Sequence, residues 1–341
     1  MKSSAVLNIG VLGSASIAIR SVIPAINSLT GQFKLAGIAS RDTSKAVSFA
    51  SHYSCKSYGS YESLLTDQTI DAVYIPLPNA LHYPFVIMAL ENGKHVLVEK
   101  SLGCTLDEVE KMVKVATTKK RVLLENFQFR FHSQLATILQ LLRDGTIGDL
   151  RSMRVAFGFP PFSDLNNIRY SAELGGGALL DAGAYPLKIG PIFLGDDISL
   201  AHASMVYDLK KGVDIWGGGV LQQRNGPLFC HFAYGFDHYY QCSLELWGSI
   251  GKLSTNRIFT APPEFQPKLL IETRHGVEER ILPTDDHFKN MLEHFHALIV
   301  GTKPLVEEYI KNIQQAMLIH DFKSLATKHI EANTQGQLLS N

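Results

Sequence analysis

The sequence is poor in cysteine and lacks long hydrophobic runs, and each absence narrows the class of protein. The longest apolar runs, such as Val96–Val98 and Val122–Leu124, have the length of strands and fall far short of a membrane span. The first ten residues, MKSSAVLNIG, lack the basic, apolar and small-residue layout of a secretion signal. No two cysteines form a C-x-x-C pair, which argues against a zinc site and a disulfide framework. The four are Cys55, Cys104, Cys230 and Cys242. We therefore expect a reduced, cytoplasmic protein.

An excess of charge of either sign is also absent. The 341 residues include 32 basic and 32 acidic side chains, so no overall field favours a nucleic acid or an anionic membrane as partner. Histidine spacing does not indicate a metal either, because His294 and His296, downstream of His287, are two residues apart and diverge on a helix. We expect no metal site. With 45% hydrophobic residues, the chain is long enough for two domains.

The first third of the chain alternates strands with helices. Strands are predicted at 6–12, 33–39, 72–75, 95–98 and 121–124, and helices at 14–29, 43–54, 81–92 and 106–118. Pro24 should kink the first of these helices or end it early. Helical segments of this length between strands imply right-handed crossovers and an open parallel sheet. The pattern predicts an α/β domain over residues 1–125.

A second domain is predicted over residues 126–341. Its strands are predicted at 150–157, 199–207, 213–221, 228–234, 241–247 and 268–272. Strands in succession with few helices between them are typical of a large, mostly antiparallel sheet. Helical spacing returns at 288–299 and 305–325, and helices within about 288–328 can pack back toward the first domain. Phe127, Phe129 and Phe131 alternate as in a strand, and the tail after Lys328 is expected to fray.

The segment IGVLGSASIA resembles a dinucleotide-binding turn of the G-x-G-x-x-G type, with Gly13, Ala15 and Ala18 at the three small-residue positions. A glycine gives the tight turn, a small side chain permits close backbone approach, and the amides at the helix start point at a pyrophosphate. The candidate binding positions are Gly13, Ser14, Ala15, Ser16 and Ile17. The same residues are also compatible with a simple helix–strand contact.

The end of the second strand indicates which dinucleotide is preferred. An NAD enzyme usually has Asp or Glu there, whereas this chain has Ser40–Arg41–Asp42. A hydroxyl followed by a planar, permanently charged guanidinium suits the 2′-phosphate of NADP. Asp42 is expected to turn outward and begin the next helix, where an acid is favourable. The prediction is NADP(H) rather than NAD(H).

Two segments follow the next strands of the predicted parallel sheet. The loop Ile75-Pro-Leu-Pro-Asn79 is held extended by its prolines, so Leu77 and Asn79 can lie along the ribose and nicotinamide. His82 either hydrogen-bonds there or caps its helix. Glu99–Lys100 ends a further strand, at the edge of the sheet where ligands bind. Lys100 is therefore a candidate catalytic residue, although a solvated lysine at a strand end is the simpler interpretation.

Five motifs together resemble the glucose–fructose oxidoreductase, inositol dehydrogenase and rhizopine-catabolism (Gfo/Idh/MocA) family. They are GVLGSASIA, PLPNALH, GKHVLVEKS, ENFQFRFH and ELGGGALLDAGAYPL, and they occur in family order over essentially the whole chain. The resemblance implies a Rossmann domain followed by an α/β domain whose open sheet forms a homodimer or homotetramer. It also implies hydride transfer between a nicotinamide and a sugar. The branch of NADP-dependent 3-ketoreductases of nucleotide-linked deoxysugars is the most similar.

The resemblance assigns roles to individual residues. Lys100, beside Glu99, matches a lysine that contacts both nicotinamide ribose and substrate. Asp181 and Tyr185 match D-x-G-x-(His/Tyr), whose last residue exchanges a proton with the substrate. Arg169 matches a position that reaches cofactor or substrate. Ser101 replaces the usual proline, so the peptide after Lys100 need not take the constrained geometry of the family.

These residues can reduce a ketone. The alkoxide that hydride transfer leaves must receive a proton, and we expect Tyr185 to donate it while Lys100 polarises the carbonyl. Asp181 would position Lys100 or hold a substrate hydroxyl. Asp181 and Tyr185 are four apart and share one helix face. The glycines of GGGALLDAGAY are equally explained by a helix entrance that packs closely against a loop.

Three hypotheses follow. The first is an NADPH-dependent reductase of a nucleotide-linked keto-deoxysugar, of the 3-ketoreductase type. The second is an NADP-dependent aldose or trans-dihydrodiol dehydrogenase, and the third is a non-catalytic NADP-binding regulator. A nucleotide tail needs cationic contacts, for which Arg169 and Arg257 are the candidates. Retention of Lys100, Asp181 and Tyr185 argues against the regulator.

Overall fold

The computed structural model describes residues 6–164 and 166–330, which divide into two compact units. One comprises 6–133 and 285–316, and the other comprises the described residues of 134–284 and 317–330. The predicted tail lies outside the described residues from 331 onward, and Thr327–Ile330, where it was expected to begin, form a strand. No helix within the described ranges combines the length and hydropathy needed to cross a bilayer.

The first unit is built on six parallel strands in the order β3-β2-β1-β4-β5-β6. They are β1 (Leu7–Leu12), β2 (Phe33–Ala39), β3 (Lys56–Tyr58), β4 (Ala72–Ile75), β5 (His95–Glu99) and β6 (Leu123–Asn126). Buried apolar runs form the central strands, which is typical of a sheet covered on both faces. The strand order reverses between β1 and β4, and such a reversal opens a crevice at the carboxyl ends of the strands. The predicted parallel sheet is confirmed.

Several helices of this unit begin at capping side chains. Thr105 accepts a hydrogen bond from the amide of Glu108, and the Glu108 carboxylate accepts one from the amide of Thr105. This reciprocal cap stabilises the start of a helix by about 1 kcal/mol. The helices are α1 (Ile23–Ser28), α2 (Thr43–His52), α3 (Tyr61–Thr66), α4 (His82–Glu91), α5 (Leu106–Lys119) and α8 (His287–Ile299). Helix α8 packs against α1, and its Phe295 stacks on Phe33 with ring centroids 6.3 Å apart.

Two predicted elements of the first unit differ from the structure. A π-helical turn, Ala18–Val22, precedes α1, so Pro24 lies in the first turn of a new helix, where its missing N–H costs nothing. The Phe127–Phe131 segment is not a strand: β6 ends at Asn126 and a 3-10 turn, Gln128–Phe131, follows. The turn directs Arg130 to Glu308, with two N···O distances of 2.9 and 2.8 Å. Alternating apolar residues predict burial here, but they do not identify a strand.

The second unit contains a nine-stranded sheet in the order β14-β13-β12-β11-β7-β10-β9-β8-β15. Its strands are β7 (Leu150–Gly158), β8 (Ile198–Asp208), β9 (Val213–Gln223), β10 (Phe229–Gly235), β11 (Gln241–Gly248), β12 (Gly251–Thr255), β13 (Lys268–Thr273), β14 (Gly276–Ile281) and β15 (Thr327–Ile330). The β7–β10 and β8–β15 pairs are parallel and the other pairs are antiparallel, so the prediction of a mostly antiparallel sheet is confirmed. The remaining helices are α6 (Ser133–Arg143), α7 (Ala184–Leu194) and α9 (Val306–Leu325).

Helix α7 packs on strands β7, β9 and β10, and this packing fixes the part of the second unit that carries Tyr185. The strands alternate buried and exposed residues, as in Gln241, Cys242, Ser243 and Leu244 of β11. The buried set faces the helix and the other set faces solvent, which is the ordinary two-sided pattern of an antiparallel sheet. Strands β12, β14 and β15 were not predicted, since each has four to six residues with little apolar alternation.

Candidate active site

The turn after β1 has the shape that a dinucleotide requires. Gly13 has a φ of +101°, and its amide donates to the Ala39 carbonyl, 2.7 Å away. A Cβ at this position would lie 3.0 Å from Leu77 Cδ2, so neither the conformation nor the space suits another residue. Ala15 then accepts from the amide of Ala18 at 3.0 Å, which begins the helix. The turn therefore presents backbone groups, and not a bulky side chain, to a ligand. We call this turn the Gly13 cradle.

Of the two charged residues after β2, Asp42 caps the following helix and Arg41 does not. The Asp42 carboxylate accepts from the amides of Ser44 (3.0 Å) and Lys45 (3.2 Å), so it caps α2 as predicted. The hydrogen bonds to Ser44 and Lys45 hold the pKa of Asp42 below its usual value. Arg41 is exposed, and no described carboxylate oxygen lies within 4.0 Å of its guanidinium.

Tyr61 lies beside this corner and was not identified from the sequence. It is 8% exposed, and its hydroxyl would be 3.7 Å from a Cβ at Gly13. Burial raises the pKa of Tyr61, and the neighbouring Arg41 guanidinium opposes that shift. Nothing in the local sequence marks Tyr61, because α3 approaches this corner only through the tertiary fold.

The end of β5 is fixed by Glu99. One carboxylate oxygen, Oε1, accepts from the Tyr74 hydroxyl of β4 and from Nδ2 of Asn126 of β6, both at 2.6 Å. Burial raises the pKa of Glu99, while Tyr74 and Asn126 favour its charged form. The three neighbouring strand ends are thereby tied together. Lys100, the next residue, leaves the sheet from this point and is partly exposed.

The backbone beyond Lys100 is held by two further side chains. The Lys100–Ser101 peptide is cis although residue 101 is not proline, so this geometry occurs here without the proline of the family motif. The Leu102 amide donates to Oε1 of Glu125 at 2.9 Å. The ring nitrogens of His82 lie 2.8 Å from the Ser101 carbonyl and 2.8 Å from the Leu77 carbonyl.

His82 itself does not reach a ligand. It is 0% exposed, and burial lowers its pKa to about 4, so the ring is neutral at pH 7. Helix α4 has no side-chain cap, so His82 does not cap it either. Both roles considered for His82 are therefore corrected: it connects the Leu77 loop to the segment after Lys100. Its burial, which decides this, is not visible in the sequence.

In the second unit, the glycine run allows a buried acid to approach the helix. Gly177 has a φ of +106°, and a Cβ there would lie 2.4 Å from Asp214 Oδ1. The other oxygen of Asp214 accepts from the Leu179 amide at 2.7 Å. Burial raises the pKa of Asp214 to about 6. The interpretation of the glycines as a helix entrance holds, and Asp214 was missed because it lies alone within β9.

The helix that begins there carries two of the predicted catalytic residues. A π-helical turn, Leu179–Gly183, contains Asp181 and runs directly into α7, where Tyr185 is the second residue. Tyr185 is 6% exposed. Its ring packs against both Phe157 and Phe259, with centroid distances of 4.9 and 5.1 Å. These two rings fix the direction of the phenol.

Arg169 is paired with Asp181. Its Nε lies 2.7 Å from Oδ2 of Asp181, and its guanidinium lies over the Phe162 ring at 5.0 Å. The family resemblance implied separate roles for these two residues, whereas the structure joins them in one ion pair. The carboxylate neutralises the charge that Arg169 would offer to an anion.

Each unit thus carries part of the predicted set of site residues. The first brings together the Gly13 turn, Arg41 and Leu77, and it holds Lys100 at a fixed strand end. The second holds Tyr185 and the Arg169–Asp181 pair at one helix entrance. Among the described residues, no three His, Cys, Asp or Glu side chains are grouped as metal ligands. A parallel sheet with a glycine turn at its strand-order reversal, beside a lysine, defines a dinucleotide-dependent oxidoreductase.

Comparison with known proteins identifies the family. Residues 7–127 match the model of the Gfo/Idh/MocA oxidoreductase family, described as an NAD-binding Rossmann fold. Residues 135–254 match the C-terminal domain of the same family. The chain belongs to the Gfo/Idh/MocA family of oxidoreductases, and the predicted fold class is confirmed.

Several similar proteins are reductases. The dTDP-3,4-didehydro-2,6-dideoxy-alpha-D-glucose 3-reductase of Saccharopolyspora spinosa is 40% identical over 85% of this chain and 86% of its own length. The enzyme of the same name from Streptomyces antibioticus is 37% identical over 94% and 97%. The crystal structure of KijD10, a 3-ketoreductase from Actinomadura kijaniata in complex with NADP and TDP-benzene, has a TM-score of 0.92 at 34% identity. It covers 96% of this chain and 100% of KijD10.

Proposed function

We propose that this protein is an NADPH-dependent reductase of a ketone on a nucleotide-linked deoxysugar. The observation that carries the proposal is the identity of 40% and 37%, over most of the chain, to two reductases of one such substrate. The similar KijD10 was crystallised with both NADP and a TDP compound, which supports the cofactor and the nucleotide. The oxidative alternatives, an aldose or a trans-dihydrodiol dehydrogenase, have less support.

The residues of the first unit suit NADPH. The Gly13 cradle with Ser14, Ala15, Ser16 and Ile17 would hold the pyrophosphate through backbone amides. Ser40 and Arg41 would hold the 2′-phosphate, since Arg41 has no described carboxylate partner within 4.0 Å.

The remaining contacts would lie around the nicotinamide. Leu77, Asn79, Glu99 and Lys100 would line it, with His82 acting only through the loops that it connects. Arg169 is a weaker candidate, because Asp181 already accepts its Nε at 2.7 Å.

Two side chains would carry out the proton chemistry. Bound NADPH supplies the hydride. Tyr185 would donate its phenolic proton to the oxygen of the reduced ketone, and its ring is already oriented by Phe157 and Phe259. Lys100 would polarise the carbonyl through its ammonium charge. Asp181 would hold Arg169 in place and accept from a sugar hydroxyl.

A substrate screen tests the proposal. Purified protein would be mixed with NADPH and either dTDP-linked keto-deoxysugars or free aldoses and keto-sugars, and the absorbance of reduced nicotinamide would be followed. We expect turnover with the dTDP-linked ketones and little with free sugars. Faster oxidation of free aldoses with NADP⁺ would establish the dehydrogenase instead. Binding of NADPH without turnover of any class would indicate a regulator.

The cofactor preference has its own test. Arg41→Ala should weaken NADPH binding by about 1–3 kcal/mol, the value of a charge-assisted hydrogen bond, and leave NADH binding nearly unchanged. Lys45→Ala is the matched control, because Lys45 is an exposed cation four residues away on α2. Equal losses of affinity for NADPH and NADH would show that Arg41 does not contact the 2′-phosphate.

We further propose that the open face of the nine-stranded sheet forms a homodimer or homotetramer. Large apolar side chains on its strands are partly or well exposed, including Trp216 (41%), Phe229 (37%) and Trp247 (56%). Sedimentation of the wild type and of Trp247→Glu would test this, with a smaller species expected for the variant. The cytoplasmic location expected from the sequence stays a prediction.

A further inference from the structure

Arg257 is a half-buried arginine that the proposed mechanism does not use. It lies in the segment between β12 and β13. Its Nη1 donates to the Tyr240 hydroxyl at 2.9 Å and to the Thr260 carbonyl at 3.4 Å. The guanidinium also lies over the rings of Tyr240 (4.8 Å) and Phe265 (5.6 Å). Two aromatic faces and two hydrogen bonds therefore hold the cation in one place.

The charge of Arg257 is not balanced by a described carboxylate. No Asp or Glu oxygen of the described residues lies within 4.0 Å of its guanidinium nitrogens. In the same unit Arg154, Arg169 and Arg224 each have such a partner, at 3.6, 2.7 and 3.6 Å. Two further arginines have a nearby carboxylate at the surface, Arg151 and Arg280. The two remaining arginines of this unit are exposed, and each donates to a neutral side chain: Arg143 and Arg274.

The absence of a described carboxylate partner at a half-buried arginine indicates that Arg257 binds an anionic ligand. Removing a cation partly from water is unfavourable unless an opposite charge or hydrogen-bond acceptors compensate for it. Only Nη1 of Arg257 is bonded to a described residue, so Nε and Nη2 remain as donors. Such a pair of parallel N–H groups matches two oxygens of a phosphate.

The backbone of Arg257 is tied to the surroundings of Tyr185. The Arg257 carbonyl accepts from Nε2 of Gln134 at 3.0 Å. Two residues further on, Phe259 packs against the Tyr185 ring in a tilted arrangement, with centroids 5.1 Å apart. The Phe259 amide in turn donates to Sγ of Cys242 at 3.3 Å. The same short segment therefore orients the phenol and presents the cation.

We propose that Arg257 binds the diphosphate of the nucleotide-linked substrate and so selects a nucleotide sugar over a free sugar. This rests on the proposed function, in which the ketone is reduced beside Tyr185. Arg169, the other cation considered for the nucleotide tail, is already neutralised by Asp181. Arg257 is thus a specificity-determining residue, and the nucleoside diphosphate is its ligand.

Calorimetric binding of thymidine diphosphate and of thymidine to the full-length protein tests this. Arg257→Gln should weaken thymidine diphosphate binding about 10- to 100-fold and leave thymidine binding unchanged. The KM for a dTDP-linked ketone should rise while kcat changes little. Arg257→Lys should recover part of the affinity, because it restores the charge without the planar fork. Arg224→Gln is the control, since it removes an exposed arginine of the same unit.

Two results would overturn the assignment. One is unchanged affinity of Arg257→Gln for thymidine diphosphate, and the other is an equal loss for thymidine and thymidine diphosphate, which would indicate a purely structural role. Thermal unfolding shows whether Arg257→Gln has lost its fold. In that case the test uses Arg257→Lys, and the ratio of its affinities for thymidine diphosphate and thymidine is compared with that of the wild type. If the wild type itself does not bind thymidine diphosphate, the proposed substrate class fails, which is a distinct outcome.

Discussion

The two units hold their candidate catalytic side chains by different means. In the first, Lys100 follows a strand end that is fixed by directional hydrogen bonds to the buried side chains Glu99, Glu125 and His82. In the second, Tyr185 is fixed by two aromatic rings and by a helix entrance at Asp214. The difference reflects what each side chain needs. A long, flexible lysine depends on where its backbone is placed, whereas a rigid phenol depends on the direction of its ring.

The largest effect should follow from removing the phenol oxygen. We expect Tyr185→Phe to lower turnover at least about 100-fold, because the alkoxide loses its proton donor while the ring keeps its packing. The control is Tyr239→Phe, whose side chain is 90% exposed and should have no effect. Steady-state rates with saturating NADPH would measure this. Near-normal turnover would transfer the donor role to Lys100 or to water.

Removing the acceptor at the β5 end should cost stability. Glu99→Ala leaves the buried Tyr74 hydroxyl and Asn126 amide without their acceptor, which should lower the free energy of unfolding by about 2–3 kcal/mol. Glu99→Gln keeps an oxygen at the same place and should lose much less. Urea unfolding of the two variants would measure the difference. Equal losses would mean that the charge, and not the hydrogen bonds, holds the strand ends.

The helix entrance can be tested with a pair of glycines. Gly145→Ala places a Cβ in open space at a φ of +71°, so only the left-handed conformation should cost stability, about 1–2 kcal/mol. Gly177→Ala adds a clash with Asp214, and we expect roughly 1–3 kcal/mol more together with a loss of turnover. Similar losses for the two variants would show that Asp214 can move away without consequence.

The last prediction is a difference between the two units in how their stability depends on pH. Burial lowers the pKa of His82 and His95 to about 4 and that of His287 to about 3. Because the unfolded chain binds these protons near pH 6.5, acid should destabilise the first unit. The loss is about 1.4 kcal/mol per pH unit for each histidine, between about pH 6.5 and pH 4.

The contribution of Asp214 to stability depends on pH in the opposite direction. Its folded pKa, raised to about 6, exceeds that of an unfolded aspartate, so its contribution is present in acid and is lost as the pH rises through about 6. Amide exchange measured at about pH 6.5 and pH 4.5, corrected for intrinsic rates, should show that the first unit loses protection relative to the second. His287→Asn should reduce that difference. Parallel losses in both units would contradict the comparison.

The sequence predicted those parts of the site that depend on neighbouring residues. Strands β2 and β4 have the predicted bounds, because short, mostly apolar runs define them, and Asp42 caps α2 as expected. Strand β3, with three residues, and helix α3, with six, are too short for a periodic pattern to show. Both were missed, and Tyr61 was missed with them.

The unpredicted parts of the site depend on residues far apart in the chain. Asp214 meets the amide of Leu179 across 35 positions, and Phe259 meets Tyr185 across an even longer stretch. The burial of His82 and the cis peptide at Ser101 are likewise properties of the assembled fold. The motifs indicated which residues are candidates for the chemistry, but not which residues hold those candidates in place.

The capping role of Asp42 bears on how coenzyme preference could be redesigned. Its carboxylate is engaged by the first amides of α2, so it is not available to a ribose hydroxyl. An acid that favours the non-phosphorylated coenzyme must therefore be introduced at position 40 or 41, ahead of the helix. Exchanging those two residues leaves the start of α2 intact, which makes this corner a compact target for protein engineering.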